Sequence, residues 1–325
     1  MSIKLLAIGS HLPQTVVSNL VFEKTLDTNN DWITQMTGIK ERRILDESED
    51  YLDCCHLAAS NAINRADINP NLIDLIIVGT TTPYQLMPST AVMLQQKLKI
   101  EQCIAFDMQA ACSGFIYALA NAIYVMQANP NINYALVMGC DSMSKVTSPN
   151  DRTTRILFGD GFGAFLLMKD KDENQKGFFY VNIGADGLGK NSLEIPWGIA
   201  KGFSSRTEAN SFMTMNGPRV FKNAVERFTK SITNALNQTN LTANDIHHVI
   251  THQANIRIIT QVANNLELTL DRVHVTLDKH GNTSAASIPL AADDLFTSGK
   301  MKQGEIILLS AFGAGYTWGT IILEF

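Results

Sequence analysis

Three strand-like runs recur at one spacing along this chain, and that spacing restricts its fold more than any single motif. Asp74-Leu-Ile-Ile-Val78 aligns with Asp245-Ile-His-His-Val249, Asp107 with Asp278, and Ala135-Leu-Val-Met138 with Ile306-Ile-Leu-Leu309, each pair 171 residues apart. A helical pattern precedes each set, Asp53 to Ala66 in one case and Pro218 to Asn237 in the other. A glycine-rich segment running into a strand follows each, beginning at Phe158 and at Phe312. Strands alternating with helices indicate an α/β fold, and self-similarity at a fixed offset indicates two copies of one unit. The charged stretch at residues 169–176 makes the boundary, giving halves 1–170 and 171–325. Residues 184–206, rich in Gly, Ser and Lys, read as an irregular excursion that Trp197 pins.

Within the first copy, a strand pattern reaching Asp107 gives way through small residues to a helix from Phe115, so Cys112 falls at the strand-to-helix turn. There a thiol meets free N–H groups and the positive end of a helix dipole, which favour thiolate. An ordinary buried cysteine fits the same place. The other four cysteines form no C-x-x-C pair, no Cys/His cluster has zinc-ligand spacing, and the odd count suits reduced thiols. A net charge of −5 without any basic block argues against a nucleic-acid surface. The N-terminus lacks a signal-peptide pattern and no uninterrupted apolar stretch approaches a membrane span, so a soluble cytoplasmic protein is expected. At the N-terminal end, Asp31 is expected to cap a short helix with Trp32 just inside and Thr37-Gly38 ending it.

The constant offset maps Cys112 onto Thr283, beside Asn282, while His252 closes a strand of the second copy. Turns at the carboxyl ends of strands in α/β sheets face a common crevice, which predicts that Cys112, His252 and Asn282 converge. Taken alone, His252 reads as a structural strand-end residue and Asn282 as a turn former. Together they allow two chemistries. In a papain-like site the histidine serves the thiol, and in a condensing enzyme histidine and amide both serve a second substrate.

Ala110-Ala-Cys-Ser-Gly-Phe115, His252-Gln-Ala-Asn-Ile-Arg257, His280-Gly-Asn-Thr-Ser-Ala-Ala-Ser287 and Phe312-Gly-Ala-Gly-Tyr-Thr-Trp318 resemble the signature segments of the 3-oxoacyl-acyl-carrier-protein synthase III family. The resemblance implies a thiolase-like fold of duplicated βαβαβαββ units in five αβαβα layers, a homodimer, and no metal or cofactor. It implies that Cys112 takes an acyl group from acyl-coenzyme A. Malonyl-acyl carrier protein then loses carbon dioxide and condenses with that group.

The same resemblance gives His252 and Asn282 the enolate, and the backbone N–H groups of Cys112 and Ala314 the oxyanion. Trp32 and Arg152 would hold adenine. Ile156, Phe158, Met215, Gly217, Phe221 and Asn255 would line the coenzyme A path, and Met87 and Phe312 the acyl pocket. Gln253, Ala254, Asn255, Ile256, Arg257 and Lys222, with Arg219 beside them, would meet the carrier protein. Three positions depart from the family pattern: Met36 stands in place of an arginine, Asn264-Asn265 in place of a lysine pair, and Met87 in place of an aromatic. Acetyl-coenzyme A is the expected primer. A specialised ketoacyl synthase or acyltransferase with a longer primer, and a non-catalytic acyl-binding subunit, are the alternatives.

Overall fold

The computed structural model describes residues 2–170 and 176–325. The boundary expected at residue 171 falls at 171–175, outside the described residues. Five strands form the first sheet in the order Ser2–His11, Asp160–Asp170, Tyr134–Ser142, Leu75–Gly79, Ile104–Met108. The second sheet runs Phe178–Ala185, Thr317–Glu324, Ile306–Gly313, His248–Thr251. Position for position this is the same order, and the fifth place is reduced to a parallel bridge between Val249 and Val273.

Side-chain alternation along the strands sorts the core into layers. In the first sheet Leu75, Ile77, Ala135 and Val137 face inward onto the helices Gly114–Ala128 and Ser287–Thr297. Their neighbours Ile76, Val78, Leu136 and Met138 face outward onto Tyr51–Ala66 and Thr90–Lys97. In the second sheet Ile250, Ile307 and Ile321 point to the same central helices. Val249, Leu308 and Ile322 point out to Gly217–Thr239 and Ile256–Asn265. The result is the expected αβαβα sandwich.

Helix Gly114–Ala128 is apolar on nearly every side because it has a sheet on each flank. The segment Ala111–Ala128 reaches a mean hydropathy of 1.2 over 18 residues, long and apolar enough by that measure to cross a membrane. Ser113, Asn121 and Gln127 interrupt it, so it is not an uninterrupted apolar stretch of the kind whose absence was expected. Here the segment is core, and Phe115, Ile116, Leu119 and Ile123 are buried.

The repeat is genuine but its offset drifts. Leu136 and Ile307 are 171 apart, yet Leu136 pairs with Ile76 and Ile307 with His248, which are 172 apart. Asp278 lies in the short helix Leu277–His280 and not in a strand. The turns that follow are 173 apart. Ala111 and Ser284, both at positive φ (49° and 51°), each open a short 3-10 turn before the central helices begin at Gly114 and Ser287. Cys112 therefore corresponds to Ala285, not to Thr283. Single-residue changes in loops accumulate without disturbing the packed strands, and so a constant offset misplaces the turns. The largest asymmetry is the link into the next strand, residues 143–159 in the first copy and only 314–316 in the second.

Candidate active site

Two strained turns from the two halves meet edge to edge. A Cβ at Gly139 would come within 2.3 Å of the Ala285 carbonyl oxygen, so only glycine lets the second turn seat against the first sheet. Cys112 sits on the first turn, 7% exposed. Burial pushes its thiol up to about 12, opposed by hydrogen bonding with Ser284, whose Oγ lies 3.6 Å from Sγ. Burial thus opposes the pull of the helix start toward thiolate that the sequence suggested. Gly313 lies directly over the turn, where a Cβ would stand 2.9 Å from the backbone nitrogens of both Cys112 and Ser113. Ala314 follows it into the cleft.

His252 continues from strand His248–Thr251, its N–H donating to the Ser310 carbonyl at 2.8 Å. Burial holds its pKa down to about 3, so the ring is neutral. Nδ1 is 2.7 Å from Ser287 Oγ, which also accepts the Gln253 N–H at 3.3 Å. Ser287 can give its own hydrogen to Nδ1, and in that arrangement the ring hydrogen sits on Nε2. Asn282 is bridged to Phe158, and its Oδ1 accepts the Ser284 N–H at 2.9 Å. Its NH2 group remains as the donor toward the cleft.

These three residues line one cleft of about 580 Å³ that runs outward to Trp32. Ile156, Phe158, Met215, Gly217, Phe221, Asn255 and Phe312 are on its walls, as expected, and so is Met36. Helix Gly217–Thr239 adds Ala224 and Phe228, which continue the stripe begun by Gly217 and Phe221 at helical spacing. That stripe was visible in the sequence and was not followed. Leu193 and Tyr316 carried no comparable signal. Phe312 is both a wall residue and a core residue packed on Phe228 and Tyr316.

At the outer end, Asn29 rather than Asp31 caps helix Asn30–Thr37, its Oδ1 accepting the Trp32 N–H at 2.8 Å. Arg152 lies 5.2 Å above the Trp32 ring. The two touch each other, so a flat ring enters only by parting them. Arg42, fully buried, ties this segment to the cleft wall through the carbonyls of Val17 and Ile156 and the side chain of Asn19. Burial lowers its pKa to about 10.

One expected contact requires correction. Gln253 is buried, bonded to the carbonyls of Thr251 and His274 and to the Thr276 N–H, so it offers nothing to a docking protein. Met87, expected to close the acyl pocket across a dimer interface, is 83% exposed and does not line the cleft of its own chain. Ile256 is turned against Gly38, and Ala254 faces the cleft. Arg257, Lys222 and Arg219 are exposed around the mouth. Arg257 lies over the Phe221 ring at 5.6 Å. Asn265 bonds Thr229 at 3.3 Å. Away from the cleft, Trp197 does pin its loop, donating to the Gly202 carbonyl at 3.2 Å and stacking with Phe203 and Arg206. His11, Glu49 and Cys54 bring three possible metal-binding atoms within 4.8 Å of one another, and none of the three lines the cleft.

Comparison with known proteins gives concordant results. The family model described as 3-oxoacyl-[acyl-carrier-protein (ACP)] synthase III matches residues 106–187, and the model of its C-terminal part matches residues 236–325. The chain is 41% identical over 323 residues to the beta-ketoacyl-[acyl-carrier-protein] synthase III of Alkalilimnicola ehrlichii, covering 99% of each. It is 43% identical over 321 residues to that of Wolbachia pipientis wMel, covering 99% of this chain and 98% of the other. The crystal structure of 3-oxoacyl-[acyl-carrier-protein] synthase III from Aquifex aeolicus superposes with a TM-score of 0.92 at 36% identity, covering 100% of both chains. The priming beta-ketosynthase of the R1128 polyketide pathway superposes with a TM-score of 0.93 at 31% identity, covering 99% of this chain and 96% of the other.

Proposed function

The chain belongs to the 3-oxoacyl-[acyl-carrier-protein] synthase III family, condensing acyltransferases of fatty-acid synthesis, and on that premise we propose how its own residues divide the reaction. Cys112 is the nucleophile, and His252 and Asn282 serve the second substrate. The observation that carries this division is the 2.7 Å contact between His252 Nδ1 and Ser287 Oγ. With Nδ1 accepting from Ser287, Nε2 is a donor and not a base for the thiol, which supports the condensing role over the papain-like one.

In the first stage acyl-coenzyme A lies along the cleft with its adenine between Trp32 and Arg152 and its thioester at Cys112. Attack by the thiolate gives a tetrahedral intermediate whose oxygen takes hydrogen bonds from the N–H groups of Cys112 and Ala314, and coenzyme A departs. In the second stage malonyl-acyl carrier protein docks at Arg257, Lys222 and Arg219. As carbon dioxide leaves, His252 Nε2–H and the Asn282 amide hold the enolate oxygen. The carbanion attacks the acyl group, releases 3-oxoacyl-acyl carrier protein and returns Cys112. No metal or prosthetic group enters these steps. The exposed Met87 closes the acyl pocket of a partner copy in a homodimer, and the protein works in the cytoplasm.

Labelled acetyl-coenzyme A tests the proposal: the label should appear on Cys112, and malonyl-acyl carrier protein should discharge it as acetoacetyl product. Equal labelling of Cys112→Ala refutes the nucleophile. A scan of primers from short to medium chain length then decides between acetyl and the longer primers of a specialised synthase, which the flexible Met87 favours.

A further inference from the structure

Beside the nucleophile lies a buried carboxylate that the condensation, as described, does not use. Asp141, near the end of strand Tyr134–Ser142, is fully buried. Its Oδ1 accepts hydrogen bonds from Thr81 N at 2.7 Å, Thr82 N at 3.1 Å and the hydroxyls of Thr80 and Thr82, both at 3.1 Å. Oδ2 accepts the Ala285 N–H at 3.1 Å, and the Ser284 hydroxyl also donates to this carboxylate. Ser284 is itself buried, and its Oγ lies 3.6 Å from Cys112 Sγ. One hydroxyl therefore bridges thiol and carboxylate. Serine has one hydrogen to give and lone pairs to spare, so while its O–H points at Asp141, the Cys112 S–H donates to Oγ.

Acylation requires the thiolate, and the thiol proton must go somewhere. His252 does not take it, because Nε2 already carries a hydrogen. If it left with Asp141 still ionised, two anions would share one dry cavity, a costly arrangement. We infer that Ser284 and Asp141 form a proton relay for Cys112: the thiol proton passes to Ser284 Oγ as the Ser284 proton passes to Asp141 Oδ2. The products are a thiolate, an intact hydroxyl and a neutral carboxyl group, so the buried charge stays at one. The proton rests on Asp141 through the acyl-enzyme stage. It returns by the same route when the attacking carbanion expels the Cys112 thiolate, and the departing coenzyme A thiolate is protonated from solvent.

The donors support this direction. Oδ1, with four hydrogen bonds, stays an acceptor, and Oδ2, which takes the Ala285 N–H, has the freer lone pairs. Burial raises the Asp141 carboxyl, which favours protonation. The titratable groups facing Asp141 are Cys112 and Tyr51, whose hydroxyl is committed to the Cys140 carbonyl at 3.1 Å. No cation pairs with Asp141 among the described residues.

The relay rests on Cys112 as nucleophile and is tested separately from it. Alkylation of Cys112 by iodoacetamide is followed against pH, with the modified cysteine located by peptide mapping, in wild type, Ser284→Ala and Ser284→Gly. Alanine fits here, since Ala111 adopts the same positive φ in the matching turn, and glycine removes the hydroxyl with no backbone strain. Both variants should bind coenzyme A as wild type does, acylate roughly 100-fold more slowly at pH 7, and show the alkylation midpoint moved to higher pH. An unshifted midpoint overturns the relay, whether or not the rate falls. Failure of acetyl-coenzyme A to label Cys112 in wild type would instead overturn the nucleophile assignment.

Discussion

His252 should make the protein sensitive to mild acid in a way that reads out the protonation state its chemistry needs. In the unfolded chain the ring takes a proton near pH 6.5, and in the folded protein only near 3, because burial disfavours the charged form. The unfolded state therefore binds the extra proton throughout that window. Stability contributed by this site is fully present above pH 6.5 and falls as pH drops toward 3. At about 1.4 kcal/mol per pH unit, the loss is about 2 kcal/mol at pH 5 and on the order of 5 kcal/mol across the window. The assay is urea unfolding of wild type and His252→Gln at pH 7 and pH 5, at one protein concentration so that subunit association cancels. His280, held down to about 4, titrates alike in both proteins and drops out of the difference. The wild-type minus variant stability should shrink by about 2 kcal/mol between the two pH values. A difference constant to within roughly 0.5 kcal/mol would mean that the ring is not held neutral, and the donor role of Nε2 would lose its basis.

Gly313→Ala should slow acylation by about 100-fold or more, because the added Cβ presses on the backbone nitrogens of Cys112 and Ser113 at 2.9 Å and disturbs the oxyanion donors. Rapid-quench measurement of acyl-enzyme formation checks this, and a change within about threefold would exclude the Cys112 and Ala314 N–H groups as the hole. Reversing the mouth charges with Lys222→Glu and Arg219→Glu should raise the KM for malonyl-acyl carrier protein, most strongly at low salt, and leave acylation by acetyl-coenzyme A unchanged.

The layers and the meeting of Cys112 with His252 and Asn282 were legible in the sequence, because packed strands keep their spacing and the turns at their ends share one crevice. Exact equivalences were not. Offsets of 171, 172 and 173 in successive elements led to Thr283 as the partner of Cys112, where φ identifies Ala285. The burial of the thiol was hidden for a related reason, since a helix end is visible in sequence and the degree of burial is not. Gln253 shows a limit of motif reading. It sits beside the cleft residues Ala254 and Asn255 in sequence, yet its side chain turns inward to cap strand and loop carbonyls.

The contact of the two strained turns also means that neither half is a smaller version of the whole. The second turn carries no thiol, and it lends the first a hydroxyl from 172 residues away and gives Asp141 of the first half an N–H. Each half expressed alone would expose the central helices on one side and leave Cys112 without Ser284, or His252 without a partner nucleophile. What began as repetition has become division of labour, and a chain that has divided its labour in this way cannot be cut back to its ancestral unit and still turn over.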